Sequence, residues 1–502
     1  MSVNFLAIDI GTSSVHCIVT DHRCNPLVSK DGPIRYYSPQ TASDLTLEFS
    51  PEELLDTVGA LIVEAMEEVG ITKGDIKALA ITSQRQGIVL LDAIGKELFV
   101  SPNIDLRAVL EGTILLEEFG PTLYTSTGQH PPLLCAYSRM RWLLHNKPKV
   151  FDRKKTLLTL GGWLTFRLTG EIVCEPSLAA GIGMLDLETA RRDTDLLNRM
   201  NFPKSTLPPL KESGEVVGHL LLQPASSWGL EPGTPVALAG ADSQCSLIGM
   251  GLINPGDIGL VTGWSCTIQM ITRTLCYDNK MRTWVGFYPI QPFRVAEVNL
   301  GDVGNAHLWL KNTLFDKNIS YDTADMLASS VTVGSDNTRS YLGCGPISAP
   351  SAGLRRGGIL FPTPMRYHKP KAGEIWRAFW EGFAYSVKAN LDTLKEVTGH
   401  NPELLYLGGG MVQSKLMAQT IASVLDSNVR RSKLVQTSGR GASVSAAVAA
   451  GFYDNMDECV RSLPPMWEEV EPNPSDALEY QGYFSEWKDL YYNLQDSNVD
   501  EH

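Results

Sequence analysis

Two stretches of the chain share one pattern: AIDIGTSSVHCIVTD, from Ala7 to Asp21, and IGLVTGWSCTIQMIT, from Ile258 to Thr272. Each is a β-rich run, a glycine turn with hydroxyl residues, and a second β-rich run, which reads as a hairpin. The recurrence predicts a coarse duplication within an α/β fold, one hairpin opening each half. A chain of 502 residues is too long for a single core of usual size, so two large domains are expected. The boundary is placed near residue 246, giving domains 1–246 and 247–502. No low-complexity linker marks it.

Between the hairpins the pattern alternates strands and helices. PEELLDTVGALIVEAMEEVG puts Leu54, Leu55, Val58, Leu61, Ile62 and Met66 on one helical face. IKALAITS and IVLLD read as strands. Residues 374–396 form a strong helix, with Trp376, Phe379, Trp380, Phe383, Val387, Leu391 and Leu394 at helical spacing. LLYLGGG leads from a strand into a glycine turn and then a helix over 411–425. Near the end, Tyr480, Phe484, Trp487, Tyr491 and Leu494 share a face. That stripe predicts a terminal helix, from about 474, docked on the body rather than a binding box.

Composition removes some classes of function. A formal charge of −13 argues against a nucleic-acid or anionic-membrane partner. No apolar run reaches the roughly 20 residues of a membrane helix, and MSVNFLAIDI has no basic leader. Nine cysteines without a CxxC pair read as free thiols in a reducing cytoplasm. The nine histidines show no HExxH or HxH grouping, so a zinc hydrolase is not supported. His16 reads as structural.

Asp9 raises the chemical question. A carboxylate inside an apolar strand costs several kcal/mol unless something charged or hydrogen-bonded meets it. Alternation puts Asp9 on one face with Ala7, at the strand's end beside the turn. A phosphate chain with Mg²⁺ would satisfy Asp9, Gly11, Thr12, Ser13 and Ser14 together, the ion being held mostly through waters. An ordinary hairpin in which Asp9 caps its own turn is the competing reading. In ALAGADSQCSLIGMG, Asp242 ends an apolar strand where a helix begins. It is either an N-cap or a base for a substrate hydroxyl. In LYLGGGMVQSKL, Gly408, Gly409 and Gly410 either let a flat base approach the backbone or simply turn a strand into a helix.

Taken together and in order, AIDIGTSS, ITSQRQGIVLLD, NIDLRA, AGADSQCSLIGMG, LVTGWSCTI, RAFWEGFAYSVKANL, YLGGGMVQSKLMAQTIASVL, GRGASVSAAVAAG and PNPSDALEYQGYFSEWKDLY resemble the FGGY family of carbohydrate kinases, within the actin/hexokinase/Hsp70 ATPase superfamily. The resemblance spans nearly the whole chain. It implies two ribonuclease-H-like, actin-like ATPase domains with a central cleft, ATP and Mg²⁺ as cofactors, and a small sugar or polyol as partner. It is compatible with a homodimer. By the same resemblance Asp9 lies near Mg²⁺, with Gly11, Thr12 and Ser13 along the phosphates. Asp242 matches the general base. Gly263 and Ser265 match a second phosphate turn; Gly408, Gly409, Gly410 and Ser414 match the adenosine side. Gln84, Arg85, Gln86, Asp105, Arg107 and Ser243, with Asp242, are expected at the sugar.

The chain also departs from the family. Trp264 stands where many relatives carry a small hydroxyl residue. Gln86 stands where glycerol and autoinducer-2 kinases carry a carboxylate, and xylulose kinases carry Met-His at this stretch. GPISAPSAGLRRGG replaces the usual GER-x-P segment, and its Arg355 and Arg356 read as a loop or a phosphate contact. The expected activity is phosphorylation of a hydroxyl on a keto-sugar or polyol, with a pentulose such as xylulose first. An autoinducer-2-type or glycerol/erythritol-type kinase is the alternative, and a non-catalytic nucleotide or sugar sensor is the rival from another class.

Overall fold

The computed structural model describes residues 3–39, 45–130, 135–151, 156–191, 194–199, 207–345, 357–363 and 369–496. Arg355 and Arg356 lie outside the described residues. The chain forms two compact units: residues 1–255, 271–295 and 436–465 make the first, and residues 256–270, 296–435 and 466–502 the second. The units interleave in sequence, whereas one cut near residue 246 leaves everything beyond it in the second half.

The first unit is built on a mixed sheet of β1 (Asn4–Ile10), β2 (Ser14–Asp21), β3 (Pro26–Pro33), β4 (Ile76–Ser83), β5 (Val216–His219) and β6 (Pro235–Ala241), standing in the order β3-β2-β1-β4-β6-β5. β1 pairs antiparallel with β2 and parallel with β4, and β4 pairs parallel with β6. Every residue of β1 is buried, as expected for a strand covered on both faces.

The two faces of β1 have different neighbours. Leu6, Ile8 and Ile10 join one core with Leu54, Val58, Leu61, Ile62 and Met66 of α1 (Pro51–Val69). Each such side chain contributes about 1.5–3 kcal/mol when fully buried. The start of α1 is set by Ser50, whose hydroxyl accepts the Glu53 N–H, and by Pro51; Gly70 in the left-handed region ends it. Leu55, expected on the same face, is only partly buried.

The opposite face of the sheet takes the late segment. α7 (Thr437–Ala449) packs across β1, β4 and β6 and against α3 (Asp242–Gly249). A side chain at Gly441 would overlap the Cys245 carbonyl, at 1.9 Å, so the small-residue run GRGAS is what lets these helices meet. This packing brings residues 436–465 back to the first unit.

The second unit repeats the plan. β7 (Ile258–Thr262), β8 (Cys266–Thr272), β9 (Arg294–Gly301), β10 (Leu405–Gly409), β11 (Val429–Ser432) and β12 (Trp467–Val470) stand in the order β9-β8-β7-β10-β11-β12. The hairpin β7–β8 is antiparallel, β7–β10 and β10–β11 are parallel, and β11–β12 is antiparallel. The expected helix is α5 (Ala372–Thr398), and all seven of its predicted apolar positions are buried. The terminal helix α8 (Pro474–Asp496) docks as expected. Tyr480 donates to Glu381 at 3.1 Å, and Trp487 donates to the Ser340 carbonyl at 3.0 Å. Leu494, at the far end of the stripe, stays exposed. Among the described residues, no helix is long and apolar enough to cross a membrane.

Candidate functional site

In the first unit the candidate carboxylates gather at the carboxyl ends of central strands of the sheet. Asp9 of β1 and Gly240 of β6 both register with Thr82 on the strand between them. Two strand spacings put their backbones about 10 Å apart, and Asp242 follows two residues after Gly240. The buried Cys245 thiol senses the same strand ends. Burial first, then the negative fields of Glu175, Asp9 and Asp242, push it well up, partly countered by a hydrogen bond with Thr82.

Asp9 is 5% exposed and faces α7, where its Oδ2 accepts the Ser438 hydroxyl at the helix N-terminus. Burial pushes its carboxyl up to about 6, and the Ser438 bond pulls it partly back. The partial positive end of the helix also favours the anion. Its Oδ1 is buried without a hydrogen-bond partner. A buried, unsatisfied carboxylate oxygen beside a hydroxyl-rich turn fits a hydrated cation. Among the described residues no group of three or more His, Cys, Asp or Glu side chains forms a metal cage, so a cation here would draw most of its ligands from water and phosphate.

The turn that follows is closed by its own backbone. The Gly11 N–H donates to the Ser14 carbonyl at 2.9 Å, and the Gly11 carbonyl accepts Gln84 Nε2 at 2.8 Å. Gly11 therefore shapes the turn, its N–H engaged within it. Thr12 Oγ1 accepts Asn103 Nδ2 at 2.9 Å, and Ser13 is exposed. His16 Nε2 meets Ser14 Oγ at 3.0 Å and its Nδ1 meets Gln436 Nε2 at 3.0 Å, which is a structural placement.

Asp242 is the first residue of α3 and is partly exposed. Its Oδ1 accepts the Ser243 N–H at 2.6 Å, and Ala241 occupies the N-cap position. Ser243 is 8% exposed beside it. The strand leading to Asp242 carries a register shift between Leu238 and Gly240.

The expected sugar stretch follows β4 directly. Gln84 is committed to the frame: its Oε1 accepts the Asn103 N–H at 2.9 Å while its Nε2 holds Gly11. Arg85, partly exposed, lies over the Trp284 ring with its Cζ 5.4 Å from the centroid. Gln86 has φ +67° and its carbonyl accepts Arg139. Asp105 and Arg107 engage each other, Arg107 Nε donating to Oδ2 at 2.7 Å. Arg107 also reaches Glu48 at 3.0 Å. Both are nearly solvent-free, so these two residues brace the loop.

In the second unit the hairpin turn closes like the first, with the Gly263 N–H donating to the Ser265 carbonyl at 3.1 Å. Gly263, Trp264 and Ser265 are exposed. The N-terminus of α4 (Val303–Leu314) abuts this turn, the Gly304 N–H donating to the Trp264 carbonyl at 3.1 Å. A helix N-terminus against a glycine turn suits an anion. Beside it, Thr262 Oγ1 donates to the Gly408 carbonyl at 2.8 Å and accepts the Met411 N–H at 3.1 Å. Gly409 has φ +89°, and a Cβ there would sit 2.0 Å from the Thr262 carbonyl; Gly410 opens to free space. Ser414 caps the helix Lys415–Leu425, accepting the Met417 N–H at 3.0 Å and donating to Asp325.

Several residues escaped the sequence reading. Ser438 lies 429 positions from Asp9, and only the helix packing reveals it. Asn103 is the first residue of the quoted NIDLRA, but its bonding is invisible without the turn. Arg139 is fully buried, donates to the carbonyls of Gln86 and Asn103, and is pushed down to about 10 mainly by burial. Glu175 and Ser177, beside Asp242's strand, had only a Glu-Pro-Ser helix start as a signal.

Comparison with known proteins matches both parts of the chain. Residues 4–249 fit the FGGY family of carbohydrate kinases, N-terminal domain, and residues 290–450 fit its C-terminal domain. The autoinducer-2 kinase of Yersinia enterocolitica is 27% identical, covering 97% of this chain and 94% of its own length. The xylulose kinase of Lactobacillus acidophilus, solved with ligand, superposes with a TM-score of 0.86 at 21% identity, covering 98% of each chain. Glycerol kinase of Plasmodium falciparum with ADP superposes with a TM-score of 0.83 at 20% identity, again covering 98% of each chain. At these identities the two structures speak for the fold.

Proposed function

The chain belongs to the FGGY family of carbohydrate kinases, a phosphotransferase to a sugar hydroxyl, and we propose that it carries the γ-phosphoryl of ATP to a small, linear keto-sugar or polyol with Asp242 as general base. The observation that supports this most is the shared carboxyl end of the central strands, where Asp9 and Gly240 flank Thr82 and Asp242 opens the next helix.

In this reading Asp242 accepts the proton of the attacking hydroxyl. Its carboxylate is fixed by the Ser243 N–H and partly exposed, so it can meet a substrate. Asp9 Oδ1 would face a hydrated Mg²⁺, while Ser438 keeps the other oxygen turned toward α7. Mg²⁺, when bound, supplies positive charge against the phosphates. Thr12 and Ser13 are proposed along the phosphate chain, with Gly263 and Ser265 in the second turn. Gly408, Gly409 and Gly410 are proposed for the adenosine. Arg85, Gln86 and Ser243 are proposed for the sugar, on a frame braced by Gln84, Asp105 and Arg107, and Ser414 is proposed on the adenosine side.

For the sugar, the sequence pattern alone favours a pentulose such as xylulose. Relatives aligned over almost the full length act as autoinducer-2 kinases by name, and this weighs toward a linear dicarbonyl polyol of that type. Initial rates of ADP formation on dihydroxypentanedione, xylulose, ribulose, glycerol and erythritol decide the order. Turnover on the first ahead of the others supports the autoinducer-2-type reading. Preference for xylulose or ribulose restores the pentulose, and no sugar-dependent ADP with any of them defeats the proposed substrate class.

A further inference from the structure

The strand that delivers Asp242 does not end regularly. β6 pairs with β4 residue by residue up to Leu238↔Ile81, and then Gly240 pairs with Thr82, leaving Ala239 as an extra residue. A bulge of this kind re-aims the side chains beyond it and gives up ladder hydrogen bonds. Here three side chains replace them. Cys245 Sγ donates to the Ala239 carbonyl at 3.2 Å, Thr82 Oγ1 donates to the Gly240 carbonyl at 2.9 Å, and the Ala241 N–H donates to Ser177 Oγ at 3.1 Å.

Ser177 is the contact nearest Asp242, and it is itself held. Its hydroxyl donates to Glu175 Oε2 at 2.5 Å, so its lone pairs are left for Ala241. Glu175 is fully buried and caps the helix α2 (Pro176–Gly181) by accepting the Leu178 N–H at 3.0 Å. Its second oxygen accepts Ser213 Oγ at 3.0 Å. The space is filled: Gly240 has φ +109°, and a Cβ there would lie 2.9 Å from Ser177 Oγ.

We infer that Ser177, oriented by Glu175, is a positioning residue that locks the bulge at Ala239–Ala241 and so sets the direction of the Asp242 carboxylate. The inference rests on the proposed role of Asp242 as base. A hydroxyl proton can be taken only within hydrogen-bond reach, and a misplacement of about 1 Å can cost on the order of a hundredfold in rate. The anchoring hydrogen bond therefore bears on turnover more than on affinity.

Ser213 supplies the control, since it bonds the same buried carboxylate and not the bulge. Ser177→Ala and Ser213→Ala are compared with wild type for melting temperature, and for kcat and KM on the best sugar of the panel. The expected result is a similar loss of melting temperature in both variants. Only Ser177→Ala should lose about tenfold or more in kcat, with sugar KM within about twofold. Thr82→Val, which removes the bond on the other side of the bulge, should show the same split and serves if Ser177→Ala does not fold. A Ser177→Ala kcat within twofold of wild type, or an equal kcat loss in Ser213→Ala, overturns the inference. Asp242→Asn, measured in parallel, separates the two ideas. If it turns over normally the base assignment fails; if it is inactive while Ser177→Ala is normal, only the positioning role fails.

Discussion

The two hairpins share a frame and differ in chemistry. In each, a glycine N–H closes the turn on a carbonyl of the same turn, and the first strand pairs antiparallel with its partner and parallel with a later strand. Counting back from the turn glycine, Asp9 stands where the second hairpin has Val261. The first position faces Ser438 and a helix N-terminus with one oxygen unsatisfied. In the second hairpin the polar work falls to Thr262, whose hydroxyl is consumed by Gly408 and Met411. The two hairpins thus keep one scaffold, and a single buried carboxylate with an unsatisfied oxygen distinguishes the first turn from the second, whose Thr262 hydroxyl is bonded to backbone.

That contrast breaks most visibly under deletion of the charge. Asp9→Ala should lower sugar-dependent ADP formation by a factor of a hundred or more, roughly 3 kcal/mol in the barrier, and weaken Mn²⁺ binding read by paramagnetic relaxation. Val261→Ala should leave kcat within about twofold and cost roughly 1 kcal/mol of stability. Equal effects at the two positions would erase the distinction.

A pH titration sharpens it further. The folded Asp9 carboxyl titrates at about 6 against an ordinary 3.8, so the folded state holds this proton more tightly than the unfolded chain. Its stabilising contribution is complete below about pH 4 and is lost as pH rises through 6. Asp9→Asn cannot ionise. In urea unfolding without divalent cations it should exceed wild type above pH 6 by up to about 3 kcal/mol, with the gap closing near pH 4. Parallel curves from pH 4 to 8 would contradict the burial account.

Within the second unit the glycine turn offers a paired test. Gly409→Ala forces a side chain toward the Thr262 carbonyl at a positive φ and should cost about 2–3 kcal/mol. Gly410→Ala meets open space and should stay within about 0.5 kcal/mol by the same denaturation measurement. The smallest effect is expected at Trp264, which is 40% exposed. Trp264→Ser restores a hydroxyl to the turn and should lower the KM for ATP a few-fold, about 1 kcal/mol. An unchanged or higher KM would show that the indole does not stand in a phosphate contact.

Much of this was legible in the sequence, and the reasons are physical. Period-two alternation put Ala7 and Asp9 on one face of β1, and helical spacing marked α1 and α5, because burial on one face leaves a local signature. The two hairpins foretold the repeated sheet plan for the same reason. Long-range hydrogen bonds leave no such trace. Ser438 and Asp9 meet only because α7 returns to the first sheet, and Ser177 reads as an ordinary helix start until its bond to Ala241 is seen. The residues expected at the sugar divide along this line. The family resemblance singled out Gln84, Asp105 and Arg107, yet their bonds turn inward to Gly11, to each other and to Glu48, which no spacing rule reports.

The proposal turns on the proton acceptor at the end of β6. The most direct measurement is single-turnover phosphoryl transfer by Asp242→Asn, with sugar and nucleotide binding followed by calorimetry on the same preparation. The account predicts dissociation constants close to wild type and a transfer rate lower by about a hundred- to ten-thousandfold. Transfer at a near-normal rate, with both ligands bound, would contradict it.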